Sequence, residues 1–375
     1  MRIAIVQRSF SRQGGAERVI DELIRNLATR HDFALFTLDY QTMNYQHLDA
    51  AKRFVIDSQK AVLGHFRRYF EARQYRLLRD SIRQWRPDVV ILNKEIDLEE
   101  WMSNDFDVPV VPYLHGYMEL STKLATGESS AAERRLDASP SRLYRRLAGE
   151  SNPSSPSPGK CKVVICVSES TAAQLGRYWP HVTPIVVRNG VNHSRFFPTW
   201  EDRGYALCIS RLVPHKNLEL LVRSFKSTNY PLIIHGNLEV GSQRAAEYLH
   251  RLESLKGPLT KIVIHRDEDS MVELLQRSSI FLHPGRDEGF ALAPLEAMAC
   301  GKVVVGHNSG GTPEVIRNHG FLAGDDESEW ASIAKRLMDS VPLRTSMGRD
   351  AYEYSTSYSW EKTSAEFERV LESIV

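Results

Sequence analysis

Ile280-Phe-Leu-His-Pro-Gly-Arg-Asp-Glu288-Gly-Phe-Ala-Leu-Ala-Pro-Leu-Glu296-Ala-Met-Ala-Cys-Gly301 decides how this chain is read. The apolar run Ile280–His283 predicts a strand. A polar turn follows, then a helix over Ala291–Cys300, with Gly301 placed where a C′ glycine ends a helix. Strand, short loop and helix in that order build a parallel α/β sheet, whose ligands gather at the carboxyl ends of the strands. Backbone N–H groups near Ala291 and Leu292, at the start of the helix, suit a phosphate. Glu288, in the loop, can accept hydrogen bonds from sugar hydroxyls. Glu296, eight residues on, can hold a cis-diol such as a ribose. On spacing alone the two read equally as a loop carboxylate and a solvated helix residue.

The same alternation extends outward from this stretch. Before it lie predicted strands Tyr205–Ser210, Pro231–His235 and Lys261–His265, with helices Leu218–Ser227, Ser242–Lys256 and Ser270–Arg277 between them; strand Lys302–Gly306 follows. The first half repeats the pattern. Its strands are Arg2–Gln7, Phe33–Leu38, Asp88–Leu92, Val108–Leu114, Val163–Val167 and Pro184–Val187. Its helices are Gly15–Thr29, Ala61–Trp85 and Ser170–Tyr178, with a helical turn near Leu98–Met102. In the first helix Val19, Ile20, Leu23, Ile24 and Leu27 fall at helical spacing. Ser151–Gly159, rich in Ser and Pro, reads as a loop. The expected fold is α/β, with two Rossmann-like parallel-sheet domains facing across a cleft. The expected domains are 1–188 and 189–357, joined near Asn189–Pro198. A terminal segment, 358–375, carries helix Ser359–Ile374 after the second sheet is complete.

Composition narrows the class. The 375 residues are 42% hydrophobic and 25% charged, the usage of a globular protein, which excludes disorder, collagen and coiled coil. No apolar run approaches the roughly 20 residues of a membrane helix. Met1 leads straight into a strand, so no secretory leader is expected and a cytoplasmic protein is. Cys161, Cys166, Cys208 and Cys300 lie in or beside apolar segments and form no CxxC, as reduced core residues do. The net charge of +1 gives no case for nucleic-acid binding, but residues 1–200 carry +6 and 201–375 carry −5. Lys60–Arg86 supplies the excess, with eight basic residues against Glu71 and Asp80. It reads either as a solvated helix face or as an interfacial helix drawn to anionic lipid. In the second case Phe66, Tyr69, Phe70, Leu77 and Leu78 form an apolar edge and Arg142-Leu-Tyr-Arg-Arg146 adds charge. The protein then sits peripherally on the inner face of a membrane.

Three further groups end predicted strands. Arg211-Leu-Val-Pro-His-Lys216 offers a guanidinium fork and an ammonium to a diphosphate. Gly14-Gly15-Ala-Glu-Arg lets backbone approach an anion at a helix start. His115 can contact a sugar or help deprotonate an acceptor. Each also reads as an ordinary loop, turn or surface residue. GxGxxG, HExxH, GxSxG and GxxxxGK[ST] are absent, which argues against a nicotinamide oxidoreductase, a zinc hydrolase, an esterase and a P-loop enzyme. Asp267-Glu-Asp269 reads as a capping cluster before Ser270, not a metal site.

In order along the chain, these motifs resemble the family-4 retaining glycosyltransferases of the GT-B fold. The resemblance rests on Gly14-Gly-Ala-Glu-Arg-Val, His115, Val167-Ser-Glu-Ser-Thr, Arg188-Asn-Gly-Val-Asn192, Ser210-Arg-Leu-Val-Pro-His-Lys-Asn217, Glu288-x7-Glu296-Ala-Met-Ala-Cys-Gly, Gly310-Gly-Thr-Pro-Glu314 and Tyr358-Ser-Trp-Glu361. It implies that Arg211 and Lys216 hold the donor diphosphate, that Glu288 faces the donor sugar, and that Glu296 grips the ribose. It places Gly14, Gly15, Gly289, Phe290, Ala291 and Leu292 beside the donor and His115 near its sugar. The implied catalytic set is Glu288, His115, Arg211 and Lys216, with no metal and no cofactor beyond the nucleotide sugar. The terminal helix is expected to return to the N-terminal domain. Two departures stand out: Ala291 replaces a usual Gly, and Gly116 follows His115 where an acid is frequent. The implied reaction moves a sugar from a nucleoside diphosphate to a hydroxyl of a carbohydrate or lipid-linked acceptor, in polysaccharide or glycolipid synthesis. A non-catalytic nucleotide-sugar or glycan binder on the same fold is the alternative.

Overall fold

The computed structural model describes residues 1–10, 14–41, 45–56, 67–93, 106–116, 162–178, 180, 182–226, 228–238, 242–264 and 268–375, without the side chains of 67–73, 178 and 268. The chain divides into two units. One comprises Met1–Val187 with Ser364–Val375, the other Arg188–Thr363.

In chain order the first unit holds β1 (Arg2–Val6), β2 (Ser9–Phe10), α1 (Gly15–Leu27), β3 (Asp32–Thr37), β4 (Asp39–Tyr40), α2 (Gln46–Ala50), β5 (Lys52–Val55), α3 (Arg67–Trp85), β6 (Val89–Asn93), β7 (Val110–Leu114), β8 (Val163–Cys166), α4 (Glu169–Tyr178) and β9 (Thr183–Val186). Among the described residues its main sheet is parallel, in the order β5-β3-β1-β6-β7-β8-β9. The central strands read as unbroken apolar runs because both faces are covered: all five residues of β6 are buried. In α1, Val19, Ile20, Leu23 and Leu27 are fully buried, the stripe that the spacing predicts.

The second unit holds β10 (Ala206–Ile209), a 3-10 turn (Pro214–Lys216), α5 (Leu218–Lys226), β11 (Leu232–Gly236), α6 (Gln243–Leu255), β12 (Thr260–Ile264), α7 (Glu268–Arg277), β13 (Ile280–His283), α8 (Leu292–Ala299), β14 (Val303–His307), α9 (Thr312–Ile316), β15 (Phe321–Ala323), α10 (Glu327–Met338), α11 (Val341–Ser355) and the start of α12 (Trp360–Glu372). Its sheet is parallel throughout, β12-β11-β10-β13-β14-β15. Gly301 lies at φ +71°, the left-handed conformation expected just past α8.

Several expectations are corrected. A short strand lies beyond the predicted Arg2–Gln7: Ser9–Phe10 pairs with Asp39–Tyr40, and Phe10 is fully buried. Edge strand β5 escaped the reading because Lys52-Arg-Phe-Val is mostly exposed and lacks an apolar run. The second sheet does not end at Gly306; β15 extends it after α9. Helix α7 starts at Glu268, so Asp269 lies in its first turn, where it pairs with Arg195 at 3.1 Å. The division of the chain into its two units falls inside α12, between Thr363 and Ser364. Thr363 Oγ1 donates to Arg188 O at 2.8 Å within the second unit. Beyond it, Glu368 pairs with Arg30 at 2.8 Å and His31 at 2.7 Å in the first.

Cys166, Cys208 and Cys300 are buried thiols. Cys161, Lys60–Phe66, Leu98–Met102, Arg142–Arg146, Ser151–Gly159 and Asp267 lie outside the described residues. In α3, Leu78 is fully buried with Ile82 and Trp85 against the sheet, so it cannot form part of an exposed apolar edge. Leu77 is exposed. Among the described residues no helix is long and apolar enough to cross a membrane.

Candidate functional site

Each sheet has one point where the strand order reverses. In the first unit the chain lays β3 and β5 on one side of β1 and then crosses to β6 and β7 on the other. In the second it lays β11 and β12 beside β10 and crosses to β13. Loops leaving the carboxyl ends of adjacent strands diverge there and leave room for a ligand. The candidate residues follow these strands: Gln7, Asn93 and His115 in the first unit, and Arg211, Lys216, His283 and Glu288 in the second.

In the second unit, Lys216 ends the 3-10 turn after β10 and donates from Nζ to Glu288 Oε1 at 2.5 Å. The pair joins the two loops on either side of the reversal. Both side chains are largely covered, at 15% and 16% exposure, so the charges meet in a poorly screened setting. Burial pushes the Glu288 carboxyl up, but the Lys216 ammonium and its hydrogen bond outweigh it and hold the group below the usual carboxylate range. The His283 ring, at the end of β13, lies 3.5 Å from Glu288 Oε1, and neither ring nitrogen has a hydrogen-bond partner. Burial, against the pull of Glu288, drops its pKa to about 4 and keeps the ring neutral. Arg211 is exposed, 3.5 Å from the His215 ring, and among the described residues it has no carboxylate partner. Its fork is available to an anion.

The Glu288 loop is held from behind. Gly311 N–H donates to Glu288 O at 2.6 Å, and Ser309 Oγ accepts from Asp287 N–H at 2.9 Å. Ser309 also meets His307 Nδ1 at 2.9 Å, while Asp325 reaches His307 Nε2 at 3.0 Å and Arg286 at 2.5 Å. Gly310, at φ +63°, passes so close that a Cβ would lie 2.5 Å from Glu288 O. This contact explains the Gly310-Gly311 pair.

Gly289, Phe290 and Ala291 are buried and lead into α8; Ala291 lies at φ −85°, open to any residue. The Leu292 N–H donates to Phe290 O at 3.1 Å. Glu296 is 6% exposed, so it is not a solvated helix residue.

In the first unit, Gly14 is the N-cap of α1 and Gly15 its exposed first residue. Glu17, in the first turn, is turned inward and 2% exposed. A Cβ on Gly14 would come within 2.6 Å of its carboxylate. Gln7 Nε2 donates to Glu17 Oε1 and to Ser9 O, both at 2.7 Å. Asn93 Nδ2 donates to Gln7 Oε1 at 2.6 Å, and Asn93 Oδ1 meets His115 Nε2 at 2.7 Å. The His115 ring also packs on Tyr113, 4.4 Å between centroids. Asn93 is thus the partner that Gly116 cannot supply.

Sequence reasoning missed Gln7, Glu17, Asn93 and His283 as site residues. The available signal was a polar residue at the carboxyl end of an otherwise apolar strand: Gln7 after Ile-Ala-Ile-Val, Asn93 after Val-Val-Ile-Leu, His283 after Ile-Phe-Leu.

An ion pair that bridges the loops at the reversal of one parallel sheet, in a chain whose other unit holds a second parallel sheet, defines a protein of two Rossmann-like α/β units. Residues 192–354 match the model of the glycosyl transferases group 1, and residues 13–195 that of Glycosyltransferase Family 4. The chain belongs to this family of glycosyltransferases. An uncharacterized glycosyltransferase of Methanocaldococcus jannaschii is 27% identical over 220 residues, 56% of this chain and 59% of the relative. The match thus spans about three fifths of that relative's length. Sucrose-phosphate synthase from Thermosynechococcus elongatus superposes with a TM-score of 0.77 at 16% identity, over 99% of this chain and 98% of that one. HepE from Anabaena, solved in complex with UDP-glucose, gives 0.74 at 18% identity over 100% of both chains. At such identities the likeness is one of fold, and the fold is GT-B.

Proposed function

We propose that the protein transfers a sugar from a nucleoside diphosphate to a hydroxyl of a carbohydrate or lipid-linked acceptor and retains the anomeric configuration. The observation that carries this reading is the Lys216–Glu288 pair, 2.5 Å apart across the reversal of the second sheet, with Arg211 exposed beside it. A diphosphate carries more negative charge than one carboxylate and competes for Lys216. Glu288, released, accepts hydrogen bonds from the donor sugar. Glu296 takes the ribose, and Gly14 and Gly15 bring backbone toward the phosphates. That HepE was solved with UDP-glucose supports a donor of this class.

In the reaction the bond between the anomeric carbon and the phosphate oxygen breaks. A bond to the acceptor oxygen forms on the same face, and the acceptor proton passes to the departing phosphate. Arg211 and Lys216 stabilise the charge that gathers on that phosphate, so no metal is required. His115 serves the sugar or the acceptor hydroxyl. Glu288 is a positioning carboxylate and not a nucleophile.

The test is nucleotide release from UDP-, GDP-, ADP- and CDP-sugars in the presence of EDTA, with Glu288→Ala and Lys216→Ala as controls. Release specific to one nucleotide and lost in both variants is expected. Binding without turnover across the panel and every acceptor tried would leave a binding protein instead.

A further inference from the structure

We infer that Glu17, Gln7 and Asn93 are positioning residues for His115: together they form a one-directional hydrogen-bond chain that sets which ring nitrogen carries the proton. The inference rests on the reading above only for the use to which His115 is put.

The direction follows from one carbonyl. Ser9 O can only accept, and it lies 2.7 Å from the Gln7 amide. The NH2 group of Gln7 must therefore point there, and its second hydrogen goes to Glu17 Oε1 at 2.7 Å. The opposite flip would set the Gln7 oxygen against two acceptors. Gln7 Oε1 then faces Asn93, 2.6 Å away, and can only accept, so Asn93 turns its NH2 toward Gln7. The remaining Asn93 atom, Oδ1, is again only an acceptor, 2.7 Å from His115 Nε2. Nε2 must donate. The neutral ring is then the Nε2–H tautomer, and Nδ1 is the nitrogen that takes a proton.

The chain is built to hold this sense. Asn93 is fully buried, and Gln7 and Glu17 are each 2% exposed, so water does not compete for their hydrogen bonds. Its members come from the ends of β1 and β6, adjacent strands across the reversal of the first sheet, and from the first turn of α1. The glycine pair gains a second explanation, since a side chain at position 14 would collide with the Glu17 carboxylate.

The experiment is nitrogen NMR on the full chain labelled at histidine, comparing wild type with Gln7→Leu and Asn93→Asp. Wild-type His115 is expected as the Nε2–H tautomer. Gln7→Leu does not touch the ring, but it frees the Asn93 amide to flip and so should mix the two tautomers. It should also lower kcat for sugar transfer by roughly 10- to 100-fold, with the donor KM within about twofold. Asn93→Asp, protonated on the oxygen that faces Gln7 Oε1, still offers only an acceptor to Nε2 and should keep the wild-type tautomer, which provides a second reading if Gln7→Leu does not fold. A wild-type Nδ1–H tautomer, an unmixed Gln7→Leu ring, or a switched tautomer in Asn93→Asp overturns the chain. The tautomer decides this without turnover; if the tautomers behave as expected and no donor is consumed, the proposed function fails and the chain stands.

Discussion

The two units solve one geometric problem with opposite chemistry. In each, two loops leave adjacent strands at the reversal of a parallel sheet, and a polar contact bridges them. The second unit uses full charges, Lys216 on Glu288 at 2.5 Å. The first uses neutral amides, Asn93 on Gln7 at 2.6 Å, with a single carboxylate at the far end. An ion pair has no donor–acceptor sense that a ligand must match, and a more highly charged ligand can take one partner away. A chain of amides resists exchange but transmits direction, because each group that accepts on one side must donate on the other. The ion pair suits a site that opens for an anion, the amide chain a site that holds one ring in one state.

The comparison is most exposed at Lys216. Lys216→Met should lower donor turnover by about 100- to 1,000-fold. It should also destabilise the protein by about 3 kcal/mol, because Glu288 would be left covered and unpaired. Nucleotide release and urea unfolding measure the two. A stability loss without a turnover loss would reduce the pair to a structural clamp.

Acid should expose the same unit. His283 has a folded pKa of about 4 against an ordinary 6.5. The unfolded chain therefore takes up a proton that the folded chain refuses, and stability falls as pH drops from 6.5 toward 4. At about 1.4 kcal/mol per pH unit the loss approaches 3 kcal/mol. Glu288 acts later on the same scale, since its depressed folded pKa gives stability that disappears only as pH falls below the ordinary carboxylate range. His283→Gln should remove the first loss and keep the second. Unfolding curves between pH 7 and 3 decide it, and an unchanged slope above pH 4.5 in the variant would mean that the ring is not held neutral. Gly310→Ala should cost about 2 kcal/mol through a strained backbone and a collision with Glu288 O, read as a lower melting temperature. Weaker donor turnover should accompany it, because the displaced residue is Glu288.

Much of this was legible in the chain. Strand Ile280–His283 appears with its sequence bounds, and the buried stripe of α1 follows its spacing. Arg211, Lys216 and Glu288 could be found because charge at the end of an apolar strand is conspicuous. Edge strand β5 and the Phe10 pairing could not, since short strands with exposed residues carry no periodic signal. The partners were hidden for another reason. Gln7, Glu17, Asn93 and His115 are spread over more than a hundred residues, and only the strand order brings them together. Leu78 misled in the opposite direction: beside exposed Leu77 it looks like part of a surface edge, yet one step around the helix turns it into the core.

The smallest expected effect separates the two chemistries most finely. If the first unit needs an acceptor at Glu17 and not a charge, Glu17→Gln should be nearly silent. Its side-chain carbonyl still accepts from Gln7, so the direction of the chain survives. The main loss is a negative charge in the first turn of α1, worth less than about 1 kcal/mol. Glu288→Gln makes the same chemical change in the second unit, where it leaves the Lys216 ammonium covered and without its counter-charge, at about 3 kcal/mol. Urea unfolding of the two variants at neutral pH gives both numbers. Equal costs would mean that Glu17 works as a charge after all, and the contrast between a directional chain and an exchangeable pair would fall with that result.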